Sequence, residues 1–260
     1  MKRILTLTAI CALAPLCAPC QKPAQALSFE VSSVKPCEPG TPEPAGEHAG
    51  MVQFVYPGGM FRANATTLKF LFEWAYDIQP SQHSAGPAWM SSERFDIVAK
   101  APGPAAEDRM KLMVRSLLAD QFRLQFHRDS KRMSVYVITV GKTEPKLFSP
   151  KNDEVHSIRV MPQKGADDKI VSWHVVATRF SLAQLTDTFA RQLGRVIVNR
   201  TGLDGDYDFT LDMTPDENSP NPLDPTLIMD AMRKQLGLTL KSQDADVDYF
   251  VVDSAEKPVA

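Results

Sequence analysis

Two stretches of this chain carry the same pattern a little over a hundred residues apart. Near residue 60 the order is GGMFRANATTLKFLFEWAYDI, followed by ERFDIVAKAPG; near residue 175 it is WHVVATRFSLAQLTDTFARQLG, followed by GDYDFTLDMTPD. Thr67-Leu68 answers Ser181-Leu182, and Phe95-Asp96 answers Tyr207-Asp208. Each is followed by a Met- and Leu-rich run and then by RLQFHRDSKRMSVYVITV or TLKSQDADVDYFVVD, with the offset held between 112 and 116 residues. Order and spacing kept over that length narrow the fold to two related units, because copied segments must find matching partners.

The local signals in each unit describe helices packed on strands. Thr66 or Thr67 caps a helix whose Leu68, Leu71, Phe72 and Ala75 share one face, and Ser181 caps one that turns Leu182, Leu185 and Phe189 inward. A further helix is expected from about Ala105 to Gln121, with Met110, Met113, Val114, Leu117 and Leu118 inward. Asp224-Pro225 is a cap followed by proline at the first helical position, opening a helix with Ile228, Ala231, Met232 and Leu236. Two helices close on the same tripeptide, Gln192-Leu193-Gly194 and Gln235-Leu236-Gly237, and each leads into a strand, RVIVNR or LTLKSQ. SVYVITV and DYFVVD are apolar on both faces and read as central strands. Tyr56-Pro57-Gly58-Gly59 turns MVQFV into MFRAN, and Gly165-Ala166-Asp167-Asp168 joins HSIRVMP to IVSWHVVA. The expected class is α+β: two related αβ repeats with mixed or mostly antiparallel sheets and helices packed on them. A leader is expected over residues 1–26, an N-terminal strand and Pro/Gly loop over 27–50, the first repeat over 51–152 and the second over 153–260.

The leader has the form of a secretory signal peptide. Lys2 and Arg3 precede an apolar run, Ile4 to Ala14, which is too short to span a bilayer, and Ala24-Gln25-Ala26 fits small-residue cleavage before Leu27. Neither Cys17 nor Cys20 has the small residues that lipidation of a leader cysteine requires. Cleavage removes Cys11, Cys17 and Cys20 and leaves Cys37 alone, so stability has to come from packing rather than an internal disulfide. The whole chain carries a formal charge of −2, which argues against nucleic acid as a partner. After cleavage the protein is expected outside the cytoplasm and not integral to a membrane. The charge is unevenly spread: residues 95–150 hold ten Lys/Arg against six Asp/Glu, and residues 200–260 hold five against thirteen. Two solvated faces explain this, and so does docking of a basic half on an acidic half, within a molecule or between neighbours.

No motif carries a defined chemistry. In RTGLDGDYDFTLDMTPDE, Asp204, Asp206 and Asp208 stand two apart as in a calcium loop, but Phe209 and Pro215 occupy the positions that need Gly and Glu. The strand reading accounts for the stretch better: Tyr207, Phe209, Leu211 and Met213 alternate with Asp208, Thr210, Asp212 and Thr214. The five histidines, His48, His83, His127, His156 and His174, have no metal-ligand spacing and read as structural, with His127 exposed. Ser32 and Lys35 match S-x-x-K, yet they lie in FEVSSVKP, a strand, where the acylating arrangement needs adjacent helical turns. Gly58-Gly59 is a hairpin turn rather than a phosphate loop. Trp74, Trp89, Trp173, Tyr56 and Tyr76 read as core, with a pocket or partner groove as the alternative, and Gly86-Pro87-Ala88-Trp89 reads as a rigid turn presenting an aromatic.

FEVSSVKP, GGMFRANATTLKFLFEWAY, GPAWMSSERFDIVAKAPG, MVRSLLADQFRLQFHRDSKRMSVYVITVGK, ARQLGRVIVNRTGLDGDYDFTLDMTPDE and QLGLTL together resemble the soil-associated protein family, known mainly from Acidobacteria and regarded as a domain of unknown function. The resemblance runs from about Phe29 to Pro258, and its Gly-Pro-x-Trp matches Gly86-Pro87-Ala88-Trp89. It implies an exported protein, and the fusion of some members to a membrane peptidase resembling β-lactam sensors implies sensing or binding. It brings no catalytic residues with it. A looser similarity to the short N-terminal modules of secretins and TonB-dependent transducers rests on ARQLGRVIVNRTGLDGDYDFTL. The expected function is thus an exported, non-enzymatic binding or sensing module of the envelope. It would recognise a protein or envelope ligand by sheet edges and loops, with no catalytic, cofactor or metal residues assigned. The alternatives are a hydrolase whose Asp and His residues are gathered by the fold, and a self-associating envelope structural protein.

Overall fold

A computed structural model describes residues 27–38, 55–151, 157–215 and 224–258. The expected leader, most of the expected Pro/Gly loop, His48 and His156 lie outside these residues. The fold is α+β, built from three small sheets with helices packed on them.

The first lobe is a four-stranded antiparallel sheet in the order β1-β4-β3-β2, from β1 (Val31–Pro36), β2 (Val55–Tyr56), β3 (Met60–Thr67) and β4 (Arg94–Lys100). Its helices are α1 (Leu68–Tyr76), the short α2 (Trp89–Ser92) and α3 (Glu107–Phe122). The Thr67 hydroxyl accepts from the Phe70 N–H at 3.2 Å and starts α1 as expected. β3 and β4 alternate exposed and buried side chains, which puts Phe61, Ala63, Phe95, Ile97 and Ala99 against the helices. The turn into β3 admits only glycine at residue 59, where φ is +78° and a Cβ would lie 2.1 Å from the Gly103 carbonyl oxygen.

The second lobe has β6 (Ser157–Lys164), β7 (Ile170–Ser181) and β9 (Asp206–Met213) in the order β6-β7-β9. It carries α4 (Leu182–Leu193) and α5 (Pro225–Ala231), which continues into a π-helical turn over Met232–Leu236. Ser181 makes a full capping box with Gln184, and Asp224 caps α5 through the Thr226 N–H. Gly194 and Gly237 take the left-handed conformation that ends each helix, at φ 64° and 71°.

The sheets of the two lobes share an unusual kink. In β3 the ladder to β4 slips between Ala63 and Thr66, and in β7 the ladder to β9 slips between Ala177 and Phe180. At these bulges Ala65 (φ 47°) and Arg179 (φ 48°) sit in the left-handed region, which disfavours both side chains. Each freed N–H donates to a carboxylate on the next strand, Ala65 to Asp96 Oδ1 at 2.8 Å and Arg179 to Asp208 Oδ1 at 2.9 Å. The acidic run around Asp208 is therefore a strand carrying a bulge staple, with Lys151 N–H as a second donor to Asp208 at 3.3 Å. Asp208→Ala is expected to lower stability by roughly 1.5–3 kcal/mol, the worth of a hydrogen bond to a charged group. Asp204→Ala should stay within about 0.5 kcal/mol, as for an ordinary surface change. Urea unfolding of the two variants separates the staple from a calcium loop, which would need both carboxylates.

The lobes are joined by exchanged strands. β5 (Gln125–Val140) and β10 (Leu238–Ser254) form a long antiparallel ribbon, with Arg132 opposite Asp246 near its middle. β5 starts in the first core, where Phe126 packs, and ends in the second with Ile138. β10 does the reverse, starting with Leu238 and Leu240 in the second core and ending with Phe250 and Val252 in the first. β8 (Ile197–Asn199) runs parallel to β5 beside Tyr136, and His83 makes the matching parallel bridge to Phe250 on β10. Of the two apolar runs expected as central strands, SVYVITV of β5 is the central strand of its sheet, whereas DYFVVD of β10 lies at the edge and is apolar on both faces because it also enters the first core. Part of the charge asymmetry of the sequence meets here: Ser130, Lys131 and Arg132 of β5 lie opposite Asp248, Val247 and Asp246 of β10. The Arg132–Asp246 pair is 3.9 Å apart and more than 60% exposed on both sides, so it sets register more than it adds stability.

Candidate functional site

Most residues singled out in the sequence lie in strands, surface pairs or packing contacts. Ser32 and Lys35 lie on β1, with no helix to bring them together. His127 and His174 are surface residues paired with Asp253 and Asp212 on neighbouring strands. Trp74 and Tyr76 pack against the first core, under Lys111 and Arg115 of α3. Trp89 packs against the first core, as read for the tryptophans: it opens α2 and lies against Phe95 and Phe122 at 6.2 and 6.4 Å, so the Gly86-Pro87-Ala88-Trp89 turn seats its aromatic on the core. Cys37 is a half-buried free thiol, and burial and a hydrogen bond to Asp96 push its pKa up, away from the reactive thiolate. The Tyr56 side chain lies outside the described residues.

Two places depart from ordinary packing. The first is a buried charge cluster between the lobes. Glu73 of α1 is 2% exposed; its Oε1 faces His83 Nε2 at 2.9 Å, and its Oε2 accepts from Arg191 Nη1 of α4 at 2.6 Å. Arg191 also reaches Asp187 at 3.4 Å and lies over the Phe70 ring at 5.0 Å. Burial pushes the Glu73 carboxyl upward, but the hydrogen bonds and charges of His83 and Arg191 outweigh it and hold the group below the usual carboxylate range. Burial pushes Asp187 up, Arg191 opposes this, and the like charges of Glu73 and Asp77 add to the rise. The sequence hid this cluster because its members are 118 residues apart between Glu73 and Arg191. The one local signal was a lone acid inside the apolar run FLFEWAY. The cluster is closed: Glu73 and His83 side chains are only 2% and 3% exposed, which leaves a substrate no approach.

The second place is the β6–β7 hairpin. Among the described residues β6 pairs on one side only, with β7, and its turn is closed by the Gly165 N–H to Lys169 carbonyl bond at 2.8 Å. Val160, Met161, Ile170 and Val171 are exposed here, four of the nine large apolar side chains exposed across the described residues. Val160 stands in the same row as buried Val175 and Leu211, beyond the cover that the helices provide. Trp173, half-buried beside Pro162 and Met213, has its indole N–H enclosed without a hydrogen-bond partner among the described residues.

Among the described residues no group of three or more His, Cys, Asp and Glu is placed to hold a metal ion. A cavity of about 180 Å³ beside Leu27, Pro102, Pro104, Arg109 and Met113 is smaller than the ~300–1,000 Å³ usual for ligand sites. No helix of the described residues is long and apolar enough to cross a membrane.

An α+β chain with a closed charge cluster and an unpaired apolar hairpin is the class that these features define. A family model described as "Protein of unknown function (DUF3738)" matches residues 69–255. The chain belongs to that family, and the match takes in α1, the exchanged ribbon, the charge cluster and the hairpin. No curated protein and no solved structure matches it.

Proposed function

We propose that the chain is an exported, non-enzymatic binding module of the cell envelope, made of two related αβ units, which holds an extended segment of a partner protein along the β6–β7 hairpin. The reading is carried by the gathering of Val160, Met161, Ile170 and Val171 on one hairpin whose outer strand has no second partner among the described residues. An open strand offers backbone N–H and C=O groups to a second strand, and apolar neighbours supply the pocket for its side chains. Pro162 lacks an N–H and limits this pairing to the part of β6 that precedes it, so the contact is short and depends on the apolar residues. Matched caps at Thr67 and Ser181, matched bulges in β3 and β7, and the parallel bridges beside β5 and β10 support the reading of two related units.

The test places a photo-crosslinker at residue 160 of the tagged chain in its own cell envelope. A stoichiometric partner, lost in Val160→Asp/Val171→Lys, is the expected result. Both sites are exposed, so the double variant should keep its urea midpoint within the range of about 0.5 kcal/mol per surface change. Capture that survives the double variant, or turnover of an envelope substrate by the purified chain, sinks the reading.

A further inference from the structure

His83 is held between two acceptors. Its Nδ1 lies 2.7 Å from the Ser84 carbonyl oxygen, which only accepts, and its Nε2 lies 2.9 Å from Glu73 Oε1. Arg191 sits on the other oxygen of the same carboxylate, which keeps Glu73 ionised and therefore also an acceptor. A neutral imidazole has one N–H and satisfies one of these contacts; only the imidazolium donates to both. Phe72 meets the ring edge-on at 5.8 Å, so water has little access to replace a lost bond.

The segment that carries His83 is a strap over several elements. Its backbone pairs with β10 through the Phe250 N–H to Gln82 carbonyl bond at 2.8 Å and the Ser84 N–H to Phe250 carbonyl bond at 2.9 Å. The Ser84 hydroxyl accepts from the Val252 N–H at 2.8 Å. At its other end, the Gln79 amide pairs with Ile197 of β8 by bonds of 2.9 and 2.7 Å, and Ser81 Oγ donates to the Gly194 carbonyl at 3.4 Å. Residues 79–84 therefore touch α1, the end of α4, β8 and β10 at once, and the strap covers the outer edge of β10.

We propose that His83 is a proton-gated latch between the lobes: as the imidazolium it locks the 79–84 strap between Glu73 of α1 and the edge of β10, and on losing its proton it lets the strap lift. The groups that bear on it are Glu73, with Lys69 at 3.9 Å and Asp77 further along α1, and Arg191 and Asp187 of α4; β10 presents the apolar ring of Phe250. Loss of the proton sets a nitrogen lone pair against either Glu73 Oε1 or the Ser84 carbonyl, turning one donated bond into a repulsion. The latch is therefore shut at the lower pH and opens as pH rises. Opening uncovers the Phe250 and Val252 N–H groups of β10.

Amide hydrogen exchange on the full chain tests this, with protection corrected for the base-catalysed intrinsic rate. From about pH 6 to about pH 9, protection of the Phe250, Ser84 and Ile197 amides is expected to fall about tenfold, the loss of one charge-assisted hydrogen bond. Leu211, in the β7–β9 ladder, should keep its protection. In His83→Gln, whose side chain does not titrate, the three amides should show no such fall. Equal pH dependence in His83→Gln and the parent, or flat protection in the parent, overturns the latch. Should His83→Gln not fold, the ring nitrogen shifts of the parent decide: both nitrogens protonated while the strap is protected supports it, and a singly protonated ring under full protection rejects it.

Discussion

A chain lacking residues 238–258 is expected not to fold, in either lobe. The deletion removes Leu238 and Leu240 from the second core and Phe250 and Val252 from the first. It also strips β5 of its antiparallel partner along its whole length. Truncating one buried Phe to Ala costs about 3–5 kcal/mol, against a total stability of about 5–15 kcal/mol for a typical domain. Phe250→Ala by itself tests the same contact more gently. Phe250 is 5% exposed and meets Phe72 and Phe126 at 6.2 and 5.9 Å, so a loss of about 3 kcal/mol in urea unfolding is expected. A deletion variant that keeps native near-ultraviolet circular dichroism would show that the first lobe closes without the exchanged strand.

Arg191→Met should be the most damaging single change at a polar residue. It leaves the Glu73 carboxylate enclosed with His83 as its one close cation, since Lys69 stands off at 3.9 Å. Breaking a buried pair from one side costs about 3–5 kcal/mol, and Arg191 is 27% exposed, so the low end applies, near 3 kcal/mol. The acid limb of the stability profile should move as well. Glu73 has a folded pKa below its unfolded one, so its contribution is fully present above the ordinary carboxylate range and is lost as pH falls through the folded value. Without Arg191 the folded value rises, this contribution shrinks, and the acid limb flattens. Thermal melts from neutral pH down to about pH 3 read this directly. A parent and variant that lose stability in parallel on acidification would place the acid sensitivity elsewhere.

Local chemistry was legible along the chain. Thr67, Ser181, Asp224 with Pro225, Gly194 and Gly237 each act at the helix end that their type predicts, because capping depends on three or four neighbouring residues. The strand from Asp206 to Met213 followed from alternation in the same way. The route of β5 and β10 did not. Their apolar runs show that both are buried, and periodicity carries no information on which lobe buries each end. Asp96 and Asp208 matched as sequence neighbours of Phe95 and Tyr207, but their work at the bulges requires a register slip invisible in one strand. Glu73 carries no sign of its partner in the sequence, because Arg191 comes from another helix, a pairing made by the lobes rather than by α1.

The exchanged ribbon also governs when the protein can become itself. Residues paired across β5 and β10 lie on the order of a hundred positions apart in the chain, a high contact order that slows folding. Synthesis at about 5–20 residues per second leaves the first lobe waiting on the order of ten seconds for Phe250 to emerge. Through that interval Phe72 and Phe126 have no finished core to enter. β10 is thus made long after β5 and is needed by both lobes, so a nascent chain stays open, and exposed to chaperones and proteases, until β10 has emerged.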